Sequence, residues 1–139
     1  MSETLHQASC VAIGGRALLI EGPPGSGKSS LALALIDRGA QLVGDDGVRL
    51  EQREGRLWAL PPPNIAGLIE IRNVGLAQME PVEAPVALAL ALDPAAPRFV
   101  EQAEQATRGG LAVPLVRLWP ESPVLGLRAE YALEIHGLR

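Results

Sequence analysis

Eight residues, GPPGSGKS at positions 22–29, constrain this chain more than any other part of its sequence. They fit the pattern G-x-x-x-x-G-K-[ST], and they lie between the apolar run ALLIE and a helical pattern, KSSLALALIDRG. Gly22 and Gly27 permit backbone conformations that a side chain forbids, so successive N–H groups can point inward around a phosphate. Lys28 supplies a positive charge, Ser29 offers a hydroxyl to Mg²⁺, and the helix that starts there adds the positive end of its dipole. The stretch therefore predicts a strand, a phosphate-binding loop and a helix in that order.

Lysine usage supports this prediction, because Lys28 is the only lysine among the 12 lysine and arginine residues of the chain. The planar guanidinium group of arginine cannot take the place of the compact lysine ammonium group where that group folds into a ring of backbone amides. The alternative is a Gly/Pro turn that merely caps a helix, and the predicted upstream strand and downstream helix argue against it. The predicted nucleotide-binding residues are Gly22, Pro23, Pro24, Gly25, Ser26, Gly27, Lys28 and Ser29.

The remaining pattern predicts an α/β protein. Two hairpins are expected, one turning at Gly14-Gly15-Arg16 and one at Glu54-Gly55. The helix after the loop is expected to end at Gly39 and to bury Leu31, Ala34 and Leu35. Further strands are predicted for QLVG, GLIEIR, PVALALALD and VPLVRLW, and a short helix in a mobile crossover is predicted within residues 94–112. Periodicity leaves VLGLRAEYALEIHG open between a terminal helix and a strand.

Length and composition exclude several classes of protein. The 139 residues fit a single domain, 1–139, and a net charge of −4 without a basic run argues against a nucleic-acid partner. The longest apolar run, residues 84–92, is too short to span a membrane, and the first ten residues lack a secretory signal, so we expect a cytoplasmic protein. Neither His6 nor His136 has a second ligand at zinc-binding spacing.

Acidic residues at strand ends are the candidates for a base and a metal ligand. Asp45 and Asp46 follow QLVG directly, so their side chains diverge, and one could face the γ-phosphate while the other holds structure. A solvated turn or a helix cap is the alternative for this pair. Glu70 alternates with two isoleucines and so points away from a buried face, either toward a site or as an ordinary exposed residue. Asp93 is a reserve candidate, which an Asp-Pro turn explains equally well.

HQASCVAIGGRALLIEGPPGSGKSSLALALIDRGAQLVGDD and GLIEIRNVG together resemble the catalytic domain of HPr kinase/phosphorylase, over residues 6 to about 76. The resemblance implies a mixed-sheet α/β fold related to phosphoenolpyruvate carboxykinase, with ATP and Mg²⁺ as cofactors. It also implies a serine of the phosphocarrier protein HPr, or of a homologous phosphocarrier, as the acceptor. Full-length relatives assemble as hexamers, so it also implies a homo-oligomer as a candidate state.

The resemblance assigns roles residue by residue. Lys28 corresponds to the phosphate lysine, Ser29 and Glu70 to the Mg²⁺ ligands, and Asp46 to the base that takes the serine proton and returns it in the reverse reaction. His6 resembles the catalytic histidine of the family, although one extra residue separates it from the loop. The family has a further catalytic arginine later in its sequence, and Arg98 is the candidate for it here. The family's segment linked to dephosphorylation is represented only by VPLVRLWPES. The implied catalytic set is therefore Asp46, Lys28, His6 and Arg98.

Two other functions remain open from the sequence. A small-molecule P-loop kinase normally needs a lid with several arginines, and only Arg98 and Arg108 occupy the one loose segment. A nucleotide-binding regulator without chemistry would keep the loop but would not need Asp46.

Overall fold

The computed structural model describes residues 3–139. The strands are β1 (Glu3–His6), β2 (Ser9–Ile13), β3 (Arg16–Glu21), β4 (Gln41–Gly44), β5 (Val48–Arg53), β6 (Arg56–Leu60), β7 (Leu68–Ile71), β8 (Gly75–Gln78), β9 (Ala84–Leu92), β10 (Glu104–Arg108) and β11 (Leu111–Leu118), and the helices are α1 (Lys28–Asp37) and α2 (Leu125–His136). Neither helix in this part of the chain has the length and apolar character needed to cross a membrane.

Nine strands form one mixed sheet, which confirms the predicted α/β class. The order is β1-β5-β6-β9-β3-β2-β4, and β11 also pairs with β9 and carries β10 on its other side. β9 runs parallel to β3 and to β11, whereas β6 meets its first residues in antiparallel orientation. Strands β7 and β8 form a separate hairpin. β9 is therefore hydrogen-bonded to three strands. It connects β6 and β11 on one side to β3 on the other.

Apolar residues form a core on each face of this sheet. Alternation along β3 places Leu18 and Ile20 on one face and Leu19 on the other, because successive side chains of a strand point in opposite directions. The first face is covered by α1 and α2 through residues such as Leu35 and Leu133. The second face packs against residues of β5, β6 and β11. Both helices thus lie on the same side of the sheet, and α1 follows the interior strand β3.

Turn chemistry explains the hairpins that the sequence predicted. Glu54 and Gly55 both have positive φ angles, 52° and 77°, which suit the two-residue turn that joins β5 to β6. The hairpin at Gly14-Gly15 and the helix beginning at Lys28 are likewise confirmed. The strands predicted for QLVG, GLIEIR, PVALALALD and VPLVRLW are also present, and they are observed at 41–44, 68–71, 84–92 and 111–118.

Three details differ from the sequence-based expectations or complete them. The short helix predicted within residues 94–112 is wrong: residues 104–108 form β10, which turns at Gly109-Gly110 and pairs with β11. Cross-strand hydrogen bonds outweigh the helix propensity of this polar segment, and the two glycines, with φ angles of 55° and 87°, favour a hairpin turn. Ala34 is exposed and Ala32 is buried in its place, so the buried stripe of α1 is rotated slightly. The C-terminal pattern, which is compatible with a helix or a strand, forms the helix α2.

Candidate active site

The glycine-rich loop leaves the end of β3 and enters α1 directly. Ser26 N–H donates to the Pro23 carbonyl at 3.1 Å, which closes a turn within the loop. Gly27 precedes the helix with φ 101° and ψ 21°, a left-handed conformation that favours glycine. No side chain in the described residues caps this helix, so the N–H groups of its first turn remain available to an anion.

Lys28 is folded back over the loop. Its ammonium group donates to the Gly22 carbonyl at 2.8 Å and to the Pro23 carbonyl at 3.3 Å. The side chain is therefore held against the backbone of the loop, and its partners are neutral carbonyl oxygens. An incoming phosphate can exchange for these carbonyls because it offers the same donor a charged acceptor.

Two observations test whether phosphates fit this loop. A Cβ atom at Gly22 would lie 2.5 Å from the Ser26 hydroxyl oxygen and 3.3 Å from Leu92 Cβ, so the loop packs closely around this position and a side chain there would require its neighbours to move. Ser26 Oγ is itself buried and lacks a hydrogen-bond partner anywhere in residues 3–139. Because buried hydroxyl groups are normally satisfied, this one indicates a loop built to bind a further polar group. The loop therefore fits a bound anion.

The adjacent aspartates take different positions, as the sequence suggested. Asp45 is buried and accepts three hydrogen bonds, from Ser9 Oγ at 2.9 Å, from Ser29 Oγ at 2.6 Å and from the Glu70 backbone N–H at 3.2 Å. This carboxylate ties β2, α1 and β7 together beneath the loop. Ser9 was not identified from the sequence, because nothing local distinguishes it.

Asp46 points the other way and is exposed. Its φ of 61° is left-handed, a conformation that aspartate tolerates better than most residues, and it turns the side chain out of the strand. Asp46, Lys28, Ser29, Glu70 and Arg72 line one cleft of about 230 Å³ next to the loop. The structure thus brings seven of the predicted site residues into one place, since Pro24, Gly25 and Gly27 of the loop line the same cleft, together with Arg72.

Oxygen ligands for a divalent cation are present but sparse. Ser29 Oγ and the exposed carboxylate of Glu70 border the cleft from α1 and β7. Within residues 3–139, no group of three or more His, Cys, Asp or Glu side chains is arranged to hold a metal ion. Two protein ligands suit Mg²⁺, which commonly completes its octahedral shell with water and with substrate phosphates.

His6 lies on the far side of Asp46, where both line a second cleft of about 430 Å³. Its Nε2 atom lies 2.8 Å from Glu21 Oε2, and Arg108 binds the same carboxylate through Nε at 2.8 Å and Nη2 at 2.7 Å. An ionised carboxylate can only accept, so Nε2 carries the proton of the histidine hydrogen bond. Burial alone would raise the pKa of Glu21, but the hydrogen bonds from Arg108 and His6 outweigh it and lower that pKa to about 2.

Glu21 and Arg108 were not identified as site residues from the sequence. Glu21 carries a recognisable signal, since it is a charged residue that ends an apolar strand immediately before the loop. Arg108 carries none, because 87 residues separate it from its partner.

Arg98 does not line the cleft that contains Lys28 and Asp46. It borders a different recess, beside Arg117, Trp119 and Arg128. Asp93, the reserve candidate, accepts from the Ala95 backbone N–H at 2.8 Å, so the Asp-Pro turn accounts for it. The structure therefore does not bring Arg98 together with the rest of the predicted catalytic set.

Comparison with known proteins points to one group. A family model described as the HPr serine kinase C-terminal domain matches residues 1–82. The HPr kinase/phosphorylase of Clostridium tetani is 40% identical over 74 residues, which are 53% of this chain and 24% of that protein. The HPr kinase/phosphorylase of Streptococcus thermophilus is 46% identical over 67 residues, which are 48% of this chain and 22% of that protein. The chain thus spans about a quarter of the length of these curated relatives.

A solved structure extends the similarity to most of the chain. The HPr(Ser) kinase/phosphatase from Coxiella burnetii has a TM-score of 0.79 and 28% sequence identity, and the match covers 94% of this chain and 88% of that one. Because this match covers 94% of the chain, it extends beyond residue 82, where the family model stops.

Proposed function

The chain belongs to the HPr serine kinase C-terminal domain family, and on that premise we propose that it is the catalytic domain of an ATP-dependent protein-serine kinase. Its proposed acceptor is a serine of HPr, the protein after which its relatives are named, or of a homologous phosphocarrier. We include the single-domain organisation in this proposal, because both apolar clusters contain residues of β9.

One observation carries the proposal: an exposed carboxylate, Asp46, shares a cleft with the lysine, the helix N-terminus and the serine of the glycine-rich loop. In the proposed arrangement the loop amides and Lys28 hold the phosphates of ATP, and Ser29 and Glu70 provide oxygen ligands for Mg²⁺. When bound, Mg²⁺ would neutralise charge that develops on the phosphate oxygens.

Asp46 is the proposed base. It accepts the proton of the acceptor serine as the serine oxygen bonds to the γ-phosphorus and the bond to ADP breaks. In the reverse reaction the same carboxyl group, once protonated, would return a proton to the serine oxygen as its bond to phosphorus breaks and the phosphoryl group bonds to ADP. Asp46 suits this role because its side chain is exposed to an incoming protein. The carboxylate of Asp45, in contrast, already accepts three hydrogen bonds.

His6 and Arg98 are proposed to contribute in different ways. His6 borders the second cleft beside Asp46 and is held by Glu21, so it can contact an acceptor that approaches from that side. Arg98 lies outside the cleft in the present conformation, and a catalytic role for it requires that the segment after β9 move.

The experiment combines labelled ATP, Mg²⁺ and purified HPr with the wild-type chain, with Asp46→Asn and with Asp37→Asn. Asp37 is an exposed aspartate at the end of α1 and serves as the matched control. We expect label on a serine of HPr with wild type and Asp37→Asn, and at least a hundredfold slower labelling with Asp46→Asn. ATP turnover without labelled HPr would favour a small-molecule kinase, and binding without turnover would favour a non-catalytic regulator.

A further inference from the structure

Glu21 ends β3 immediately before the glycine-rich loop, and its carboxylate links three strands that are not neighbours in the described part of the sheet. Arg108 of β10 donates to Oε1 at 2.7 Å and to Oε2 at 2.8 Å, and His6 Nε2, at the end of β1, lies 2.8 Å from Oε2. The carboxylate is only 13% exposed, and a charge so far from water needs partners. The two-pronged contact from Arg108 already provides them, so the contact with His6 is additional.

The hydrogen bond to Glu21 determines which ring nitrogen of His6 carries the hydrogen. Because Arg108 keeps the carboxylate ionised, Glu21 can only accept, so Nε2 of the neutral imidazole is the donor and Nδ1 is the acceptor. Within residues 3–139, Glu21 is the one side chain that hydrogen-bonds the ring, and it also restrains rotation of the ring. Without it, the neutral ring could carry its hydrogen on either nitrogen.

Nδ1 is therefore the ring nitrogen left for a group that enters the second cleft. His6 lines that cleft together with Asp46, the proposed base, and with Asn64 and Ile65. His6 is not among the residues that line the cleft around Lys28, where the phosphates of ATP would bind. An acceptor nitrogen beside the base, but apart from the phosphate loop, suits an N–H or O–H group of the acceptor protein rather than the nucleotide.

We propose that Glu21 and Arg108 are positioning residues, which hold His6 so that its Nδ1 accepts a hydrogen bond from the acceptor protein beside Asp46. Arg108 orients the Glu21 carboxylate, and Glu21 orients the ring. No proton transfer is assigned to His6, and Asp46 remains the base. The inference rests on the proposed kinase function, because it concerns how the acceptor of that reaction is bound. The alternative is that Glu21 only fastens β1, which in the described sheet pairs with β5 alone.

Imidazole nitrogen NMR of the wild-type protein tests the tautomer directly, because the chain has only two histidines. The signals are assigned by comparison with His136→Gln, at a pH where the rings are neutral. We expect His6 to carry its hydrogen on Nε2. Glu21→Met removes the acceptor at a similar side-chain volume, so the Nδ1–H form should increase in this variant. Hydrogen on Nδ1 in the wild type, or the same tautomer distribution in both proteins, would overturn the proposal.

Steady-state labelling of HPr tests the effect on the acceptor. Glu51→Met is the matched control, because Glu51 is an 18% exposed carboxylate that accepts from Arg53 and lies outside both clefts. Glu21→Met should raise KM for HPr at least fivefold, as expected for one lost hydrogen bond, and should leave KM for ATP within twofold of wild type. Glu51→Met should change neither constant. An unchanged KM for HPr in Glu21→Met, or an equal rise in both KM values, would contradict a positioning role toward the acceptor.

His6→Gln separates positioning from fastening, because its amide NH₂ can still donate to Glu21 whereas the ring acceptor is lost. We expect KM for HPr to rise as in Glu21→Met, and the double variant to lie within twofold of either single variant. All variants are compared at a temperature where circular dichroism shows them folded. A wild-type KM for HPr in His6→Gln would show that the contact only fastens β1, and additive losses would show that Glu21 acts independently of His6; either result would refute the inference.

Failure of the proposed function gives a different result. If the wild-type chain does not label HPr at all, the proposed kinase function is wrong. The tautomer measurement requires no activity, so it would still decide whether Glu21 holds His6 with Nδ1 as the acceptor.

Discussion

Replacing each of the two adjacent aspartates by asparagine should separate stability from activity. Asp45 accepts three hydrogen bonds in a buried position, and hydrogen bonds to a charged acceptor contribute roughly 1.5–3 kcal/mol each. In Asp45→Asn the amide oxygen can still accept from Ser9 and Ser29, but the amide NH₂ then faces the N–H of Glu70. We therefore expect the free energy of unfolding to fall by about 2–4 kcal/mol.

Asp46→Asn should leave the free energy of unfolding within about 0.5 kcal/mol of wild type, because Asp46 is exposed. Asparagine also tolerates the left-handed φ of 61° at this position, so no backbone strain is added. In the proposed mechanism this variant nevertheless loses the base. Asp45→Asn is thus expected to affect mainly the stability of the fold, and Asp46→Asn mainly the reaction.

Urea denaturation and thermal unfolding of both variants provide the measurement. For a chain of this size the expected loss in Asp45→Asn corresponds to a melting temperature lower by roughly 6–12 °C. Labelling of HPr by each variant is measured at a temperature where both are fully folded. Wild-type stability in Asp45→Asn, or an equal loss in both variants, would refute the assignment of Asp45 as the structural member of the pair.

Three further predictions concern the loop and the side chains around it. Lys28→Met should abolish nucleotide-dependent labelling of HPr and leave the circular dichroism spectrum unchanged; undiminished turnover would contradict a phosphate role for this lysine. Glu21→Gln should cost roughly 2–3 kcal/mol in unfolding free energy at pH 7, as measured by urea titration. The pKa of Glu21 is lowered to about 2, so its stabilisation is complete above the usual pKa near 4.5 and is lost as the pH falls toward 2; a deficit that did not change with pH would contradict this account. Glu70→Gln should raise the Mg²⁺ concentration needed for half-maximal labelling at least fivefold, whereas Glu80→Gln, an exposed glutamate outside the cleft, should not; equal curves would argue against Glu70 as a ligand.

Features of the fold that depend on local chemistry could be predicted from the sequence. The Glu54-Gly55 turn and the glycine-rich loop each have a conformation that a few neighbouring residues determine. The side chains of Asp45 and Asp46 also point in different directions because the two residues are consecutive. In each case the physical cause lies within a few residues of its effect.

Features that depend on distant partners could not be predicted. β10 reads as a polar, helix-compatible segment, and its strand conformation comes from pairing with β11 after a two-glycine turn. The carboxylate of Glu21 is matched by an arginine 87 residues away, and no sequence pattern connects the two. The Gly109-Gly110 pair favours a hairpin turn, whereas the polar composition of the residues before it favours a helix.

The position of β9 has a consequence for how motion is distributed in this molecule. Its amides are bonded to β3 on one side and to β6 and β11 on the other, and nearly all of its side chains are buried. Deuterium should therefore enter its central residues only when the whole sheet opens. The glycine-rich loop leaves the end of β3 beside this strand, so we expect it to be attached to the most slowly exchanging part of the chain. On this reasoning the loop and the β7–β8 hairpin would exchange faster than the strands that support them.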